Sequence, residues 1–232
     1  EELSIKVSDD FGRTGISSVI EMQSSGLYFE VTVPDSVVVG DIFDIDVRLV
    51  DSNTGSTVTT MDGPVAVSVF DAVTGLPGSG ELGIVQQILV DGQCTISQTY
   101  TLSGSSWFEI IDTNNSSGIS NSCLFAPGEF IAIQVVPPGG FETPDVQQSG
   151  IPFSVEIVAI DSWLNQVDID DGELSLTTEL PATVTLVNPD DLDAPFINGS
   201  RFIDLILEGT GSVLLQVEDL TRPMVNSGAV SI

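Results

Sequence analysis

The sequence contains no histidine, and its basic residues are limited to one lysine and four arginines among 232 residues. Without histidine, Ser-His-Asp and Cys-His catalytic arrangements are excluded within this chain, and zinc loses its commonest nitrogen ligand. There are 34 acidic residues and a net charge of −29, so the chain cannot neutralise phosphates, and we exclude nucleic acid as a partner. No apolar run approaches the roughly 18 residues that a membrane-spanning helix needs, so we predict no membrane span.

The sequence also contains no motif that indicates an active site. A pair of carboxylates can act as general acid and base in a glycosidase. Among 34 acidic residues such pairs arise by chance, and no motif distinguishes one of them. We therefore predict no catalytic residues and no required cofactor.

The apolar residues alternate with polar ones at a period of two. Residues 43–49 place Phe43, Ile45, Val47 and Leu49 on one face and charged side chains on the other. Residues 65–69, 153–159 and 203–207 repeat this pattern, with turn-forming Gly, Pro, Asn and Asp between the runs. No segment shows the 3.6-residue period of an amphipathic helix. The pattern predicts an all-β protein built of β-sandwiches.

The chain also repeats itself. Residues 4–22, 108–125 and 214–232 each contain two alternating strands around an acidic turn and a glycine. Asp91-Gly92 and Gly104 match Asn198-Gly199 and Gly211, and both matches are 107 residues apart. Such self-similarity is typical of arrays of structural modules. We predict a final hairpin of a preceding domain at residues 1–25, which could instead be exchanged strands, and two sandwiches at residues 26–127 and 128–232.

The second repeat resembles the bacterial immunoglobulin-like repeats of large surface proteins. The residues that carry the resemblance are a Gly-x-Pro-Phe strand start at Gly150, an Asp-x-x-x-Asn turn from Asp161 to Asn165 and a Gly-x-Leu-x-Leu strand from Gly172. A Gly-bounded strand pair from Gly211 to Asp219 closes the motif. The resemblance implies tandem immunoglobulin-like sandwiches in stalks or filaments outside the cell, and it implies no particular ligand.

Two acidic clusters are candidate calcium sites, because calcium prefers hard oxygen ligands. The candidate ligands precede a predicted strand in one cluster and an Asn-Gly turn in the other: Asp168, Asp170, Asp171, Asp190, Asp191 and Asp193. The alternative is a solvated acidic surface, since aspartate favours turns for its own backbone hydrogen bonds.

Two further features leave alternatives open. Cys94 and Cys123 lie in predicted strands of one repeat and are either a disulfide or two buried thiols. Trp163 lies in a turn, where it offers a stacking platform for a sugar or packs against a neighbouring domain or its own loop.

These observations favour a non-enzymatic structural segment of an extracellular or cell-surface protein, such as a stalk, surface-layer unit or filament building block. Its partners would be neighbouring domains or copies of itself, which could pair through open strand edges, first of all at residues 1–25. The alternative is an adhesin-type module that binds glycan or protein through its end loops, organised by Ca²⁺.

Overall fold

The computed structural model describes residues 2–3, 6–8, 14–16, 20–21, 26–141, 144–178, 182–211, 213–222 and 229–231. Strands dominate this part of the chain, and its only helix is a single 3₁₀ turn, Pro189–Leu192. The prediction of an all-β sandwich fold is therefore confirmed. Among the described residues, no helix has the length and apolar character needed to cross a membrane.

The first 21 residues contribute four short strands: β1 (Glu2–Leu3), β2 (Lys6–Ser8), β3 (Thr14–Ile16) and β4 (Ile20–Glu21). β1 pairs with β4 and β2 with β3, both antiparallel. The assignment of this segment to a preceding domain stays a prediction.

The strands of the first sandwich are β5 (Leu27–Thr32), β6 (Ser36–Val38), β7 (Phe43–Asp51), β8 (Gly63–Asp71), β9 (Gln86–Leu89), β10 (Gln93–Gln98), β11 (Gly104–Asp112), β12 (Ser117–Ile119) and β13 (Cys123–Ala126). They form two sheets, ordered β10-β7-β5 and β6-β13-β11-β8-β9, with β12 paired to β11. All pairs are antiparallel except β13 with β6.

Both sheets contribute to one hydrophobic core. The alternation in β7 is as predicted, with Phe43, Ile45, Val47 and Leu49 buried. The Phe125 ring packs edge-on against the rings of Phe43 and Tyr100, with centroids 5.4 and 4.9 Å away. Such tilted aromatic contacts stabilise a core beyond the burial of area alone.

The strands of the second sandwich are β14 (Ala132–Val136), β15 (Phe153–Ile160), β16 (Leu174–Thr178), β17 (Thr183–Leu186), β18 (Ser200–Glu208), β19 (Leu214–Asp219) and β20 (Ala229–Ser231). They form a four-stranded sheet, β14-β15-β18-β17, and a three-stranded sheet, β16-β19-β20, and all pairs are antiparallel. The two sheets enclose a core that is separate from that of the first sandwich.

The Asp91-Gly92 and Asn198-Gly199 turns have matching geometry. All four residues have positive φ, with 50° and 72° in the first turn and 51° and 80° in the second, as a tight hairpin turn requires. A Cβ added to Gly92 would lie 2.1 Å from the Val58 carbonyl oxygen, and one added to Gly199 would lie 2.0 Å from the Val167 carbonyl oxygen. Each sandwich therefore needs glycine at this position for the same close backbone approach.

Candidate functional site at the joint between the sandwiches

A hydrogen-bonded turn, residues 161–165, follows β15 and holds itself together through a buried carboxylate. Asp161 is fully buried. Its Oδ1 accepts from the Trp163 and Asn165 amides at 2.8 and 2.9 Å, and its Oδ2 accepts from the Gly128 amide at 2.8 Å. Because Gly128 lies between the last strand of the first sandwich and the first strand of the second, Asp161 fixes the connecting segment to this turn. We call residues 161–165 the joint turn.

Asn165 connects the joint turn to the first sandwich. Its Oδ1 accepts from the Ser103 amide at 2.7 Å, and its Nδ2 donates to the Thr101 carbonyl at 2.9 Å. The same Nδ2 lies 3.1 Å from Asp161 Oδ2. Asn165 is 5% exposed, so these bonds are largely shielded from water. A side-chain amide that satisfies one backbone donor and one acceptor of the other sandwich restrains both the position and the orientation of the contact.

Trp163 lies against Gly40 of the first sandwich. A Cβ added to Gly40 would lie 2.6 Å from the indole Nε1, so only glycine leaves room for this approach. Gly40 also has φ of 82°, which other residues rarely adopt. Trp163 remains 48% exposed. Its predicted role in binding a sugar stays a prediction.

Burial raises the pKa of Asp161, but the hydrogen bonds from Gly128, Asn165 and Trp163 together outweigh it and hold the pKa below its ordinary value. A carboxyl whose pKa is lower in the folded than in the unfolded state stabilises the fold above its unfolded pKa. That stability is lost as the pH falls through the folded pKa. The joint turn is therefore built for the ionised carboxylate and weakens in acid.

Three of the six candidate calcium ligands come together elsewhere in the second sandwich, away from the joint turn. Asp170, Asp171 and Asp193 line an open cleft of about 350 Å³ together with Glu173. Asp168, Asp190 and Asp191 are not among its lining residues.

Two arginines hold these loops. Arg222 forms an ion pair with Asp171 and another, at 2.8 Å, with the buried Asp219. Arg201 is 4% exposed and donates to the Gly172 and Leu192 carbonyls, one on each acidic loop. Sequence reasoning missed Arg201, although its parity with Ile203 and Leu205 on β18 places it on the inward face.

The predicted calcium sites can be tested by comparing the effects of Ca²⁺ and Mg²⁺ on thermal stability. In the part of the chain that the structure describes, no three Asp, Glu or Cys side chains are arranged to hold one ion. We therefore expect Ca²⁺ and Mg²⁺, compared at equal ionic strength, to raise the melting temperature equally, since screening acts on the total charge of −29. The measurement is calorimetric melting. A larger rise with Ca²⁺ that Asp193→Asn abolishes would establish the calcium site instead.

The two cysteines are free thiols in the structure. Cys94 is on β10 of one sheet and half-buried, whereas Cys123 is on β13 of the opposite sheet and fully buried. Burial raises the pKa of Cys123 to about 11, and burial and the nearby Asp46 raise that of Cys94. Both thiols are therefore protonated and weakly nucleophilic near neutral pH.

Counting the reactive thiols tests whether Cys94 and Cys123 are free. We expect an aromatic disulfide reagent at pH 8 to react slowly with the native protein, because little thiolate is present and the core shields Cys123. In urea without reductant, two thiols per chain should react at once. A count of zero in urea would show that Cys94 and Cys123 form a disulfide.

Comparison with known proteins gives only loose similarities. No protein-family model and no curated protein sequence matches the chain. Among solved structures, a β-glycosidase from Bacteroides vulgatus is similar at 12% identity and a TM-score of 0.38, over 90% of this chain and 25% of that one. Trypsin-activated α-2-macroglobulin from Escherichia coli is similar at 12% identity and a TM-score of 0.42, over 100% of this chain and 19% of that one. This chain spans a quarter or less of each protein, and at such scores no function is carried over.

Proposed function

We propose that this chain is a non-enzymatic structural segment of an extracellular surface protein, built from tandem immunoglobulin-like sandwiches that project or assemble. The observation that carries the proposal is the joint turn, where the buried Asn165 side chain bonds to the Ser103 amide and the Thr101 carbonyl of the other sandwich. A joint of this kind transmits orientation from one module to the next. That property is what a stalk or filament unit requires.

The matching hairpin turns support the tandem organisation. In each sandwich the carbonyl of the turn glycine accepts the same kind of hydrogen bond: that of Gly92 accepts from the Leu49 amide at 2.8 Å, and that of Gly199 accepts from the Ala159 amide at 2.9 Å. These equivalent contacts add geometry to the sequence repeat. Modules that each have their own hydrophobic core can in principle fold alone, as the domains of a tandem array do.

The composition supports the non-enzymatic part of the proposal and the solubility that an extended array needs. Without histidine, the chain lacks the side chain most often used for proton transfer near neutral pH. A net charge of −29 keeps an extended array soluble.

Single-molecule stretching tests this function. If each sandwich is an independent mechanical unit, pulling on the chain ends should give two unfolding events. Each event should release a contour length on the order of 300 Å, given about 3.5 Å per extended residue. One event that releases both sandwiches together, or the absence of any resisting event, would contradict a role in resisting mechanical force.

An adhesin-type module is the second candidate, favoured by the half-exposed Trp163 indole at the joint. A glycan array probed with the wild type and with Trp163→Phe and Trp163→Ala separates the two functions. Binding that phenylalanine retains and alanine loses would favour the adhesin. The absence of binding by all three proteins would favour the structural segment.

A further inference from the structure

The surface that receives the joint turn has a counterpart on the second sandwich. In the first sandwich the Gly40 amide donates to the Tyr100 carbonyl at 2.9 Å, and in the second the Gly150 amide donates to the Leu207 carbonyl at 2.9 Å. Gly40 and Gly150 have φ of 82° and 78°. Gly150 therefore repeats the geometry of the glycine against which Trp163 lies.

The neighbouring loop is repeated as well. Thr210 lies 107 residues after Ser103, the same spacing as the other anchors of the repeat. The Ser103 amide donates to Asn165 across the joint, whereas the Thr210 amide has no partner among the described residues. Ser103 is half-buried and Thr210 is exposed. The second sandwich therefore has an exposed counterpart of the surface that binds the joint turn on the first sandwich.

A cleft lies beside this surface. It has a volume of about 540 Å³ and is lined by Val146, Ser149, Leu207, Thr210 and Val213, among others. The Val146 side chain is 98% exposed. Gly150 precedes β15 and the joint turn follows it, so the cleft and the joint turn are at opposite ends of the second sandwich.

We propose that this surface, formed by Gly150, residues 208–211 and the adjacent cleft, receives the Asp-x-x-x-Asn turn of a further sandwich built like the second one. The inference rests on the proposed function, because it extends one joint into an array. The incoming asparagine would accept from the Thr210 amide, as Asn165 accepts from Ser103. Its preceding aromatic residue would lie on Gly150, as Trp163 lies on Gly40.

The charge of the chain is compatible with this occupant. In the joint turn the Asp161 carboxylate is fully buried and bonded to groups of its own sandwich and the connecting segment. The groups that reach the other sandwich are the neutral Asn165 amide and the Trp163 indole. The turn itself therefore brings no bare carboxylate against Glu208 and Asp145 of this surface, which would cost solvation and add like-charge repulsion.

The test extends the whole chain by one module. A second copy of residues 123–232 is placed directly after Ile232, which continues the sequence repeat, and backbone amide exchange is followed by NMR. We expect the Thr210 amide to exchange about tenfold more slowly, or slower still, than in the original chain. The matched control carries Asn165→Ala in the added copy only, and there Thr210 should exchange as in the original chain.

Unchanged Thr210 exchange with a folded added copy would overturn the proposal. Should the added copy fail to fold, a cyclic peptide of residues 160–166 is titrated into the original chain instead. Shifts of the Gly150 and Thr210 resonances would support the proposal, and no shift at millimolar peptide would overturn it. The Ser103 amide in the same samples reports on the existing joint, so its rapid exchange would count against the proposed function instead.

Discussion

Replacing Gly199 by alanine is expected to destabilise the second sandwich by about 2–5 kcal/mol. The added Cβ would lie 2.0 Å from the Val167 carbonyl oxygen, and this contact cannot be relieved by turning a side chain. Overpacking of this kind costs roughly 1–3 kcal/mol, and a left-handed backbone adds about 1–2 kcal/mol for a residue with a Cβ. Urea unfolding followed by residue-specific amide exchange measures the loss in each sandwich separately.

Gly150→Ala is the matched control for this substitution. Its φ of 78° is close to the 80° of Gly199, but nothing lies within 4 Å of an added Cβ. We expect a loss of about 1–2 kcal/mol, which is the backbone contribution alone. Equal losses in the two variants would show that the close approach to Val167 does not determine the requirement for glycine.

Replacing Asn165 by alanine is expected to loosen the joint and to destabilise the second sandwich by about 1–3 kcal/mol. The Ser103 amide and the Thr101 carbonyl both lose their partner across the joint. Asp161 also loses the amide 3.1 Å from its Oδ2. ¹⁵N relaxation should show each sandwich tumbling faster, because the two no longer rotate as one body.

Asn121→Ala is the control, because Asn121 has the same chemistry within one sandwich. Its Oδ1 accepts from the Val33 amide at 3.0 Å and its Nδ2 donates to the Val33 carbonyl at 2.9 Å. This variant should destabilise the first sandwich and leave the tumbling of both sandwiches as in the wild type. Unchanged tumbling in Asn165→Ala would contradict the assigned role of the joint turn.

The strands and their inward faces could be predicted because burial follows a period of two. The buried side of β7 and the position of Arg201 on β18 both follow from residue parity. The turn at Asn198-Gly199 could be located as well, since positive φ at two successive positions demands residues of this type.

The hydrogen bonds that Asn165 makes across the joint could not be predicted from sequence. The partners of Asn165 are backbone groups at Thr101 and Ser103, 64 and 62 positions earlier, and backbone groups leave no residue-type signal. The Asp-x-x-x-Asn spacing identifies a turn, but not what the turn contacts. Likewise, Asp171 and Asp193 line one cleft, and Arg201 of β18 bonds to the carbonyls of the neighbouring Gly172 and Leu192, contacts that the sequence does not specify.

The central claim is that the joint turn holds the two sandwiches in one orientation. Residual dipolar couplings of the wild-type chain in a dilute aligned medium test it most directly, with an alignment tensor fitted to each sandwich separately. We predict the same magnitude and orientation for both tensors in the frame of the structure. Tensors of clearly different magnitude would show independent motion of the two sandwiches and would contradict the claim.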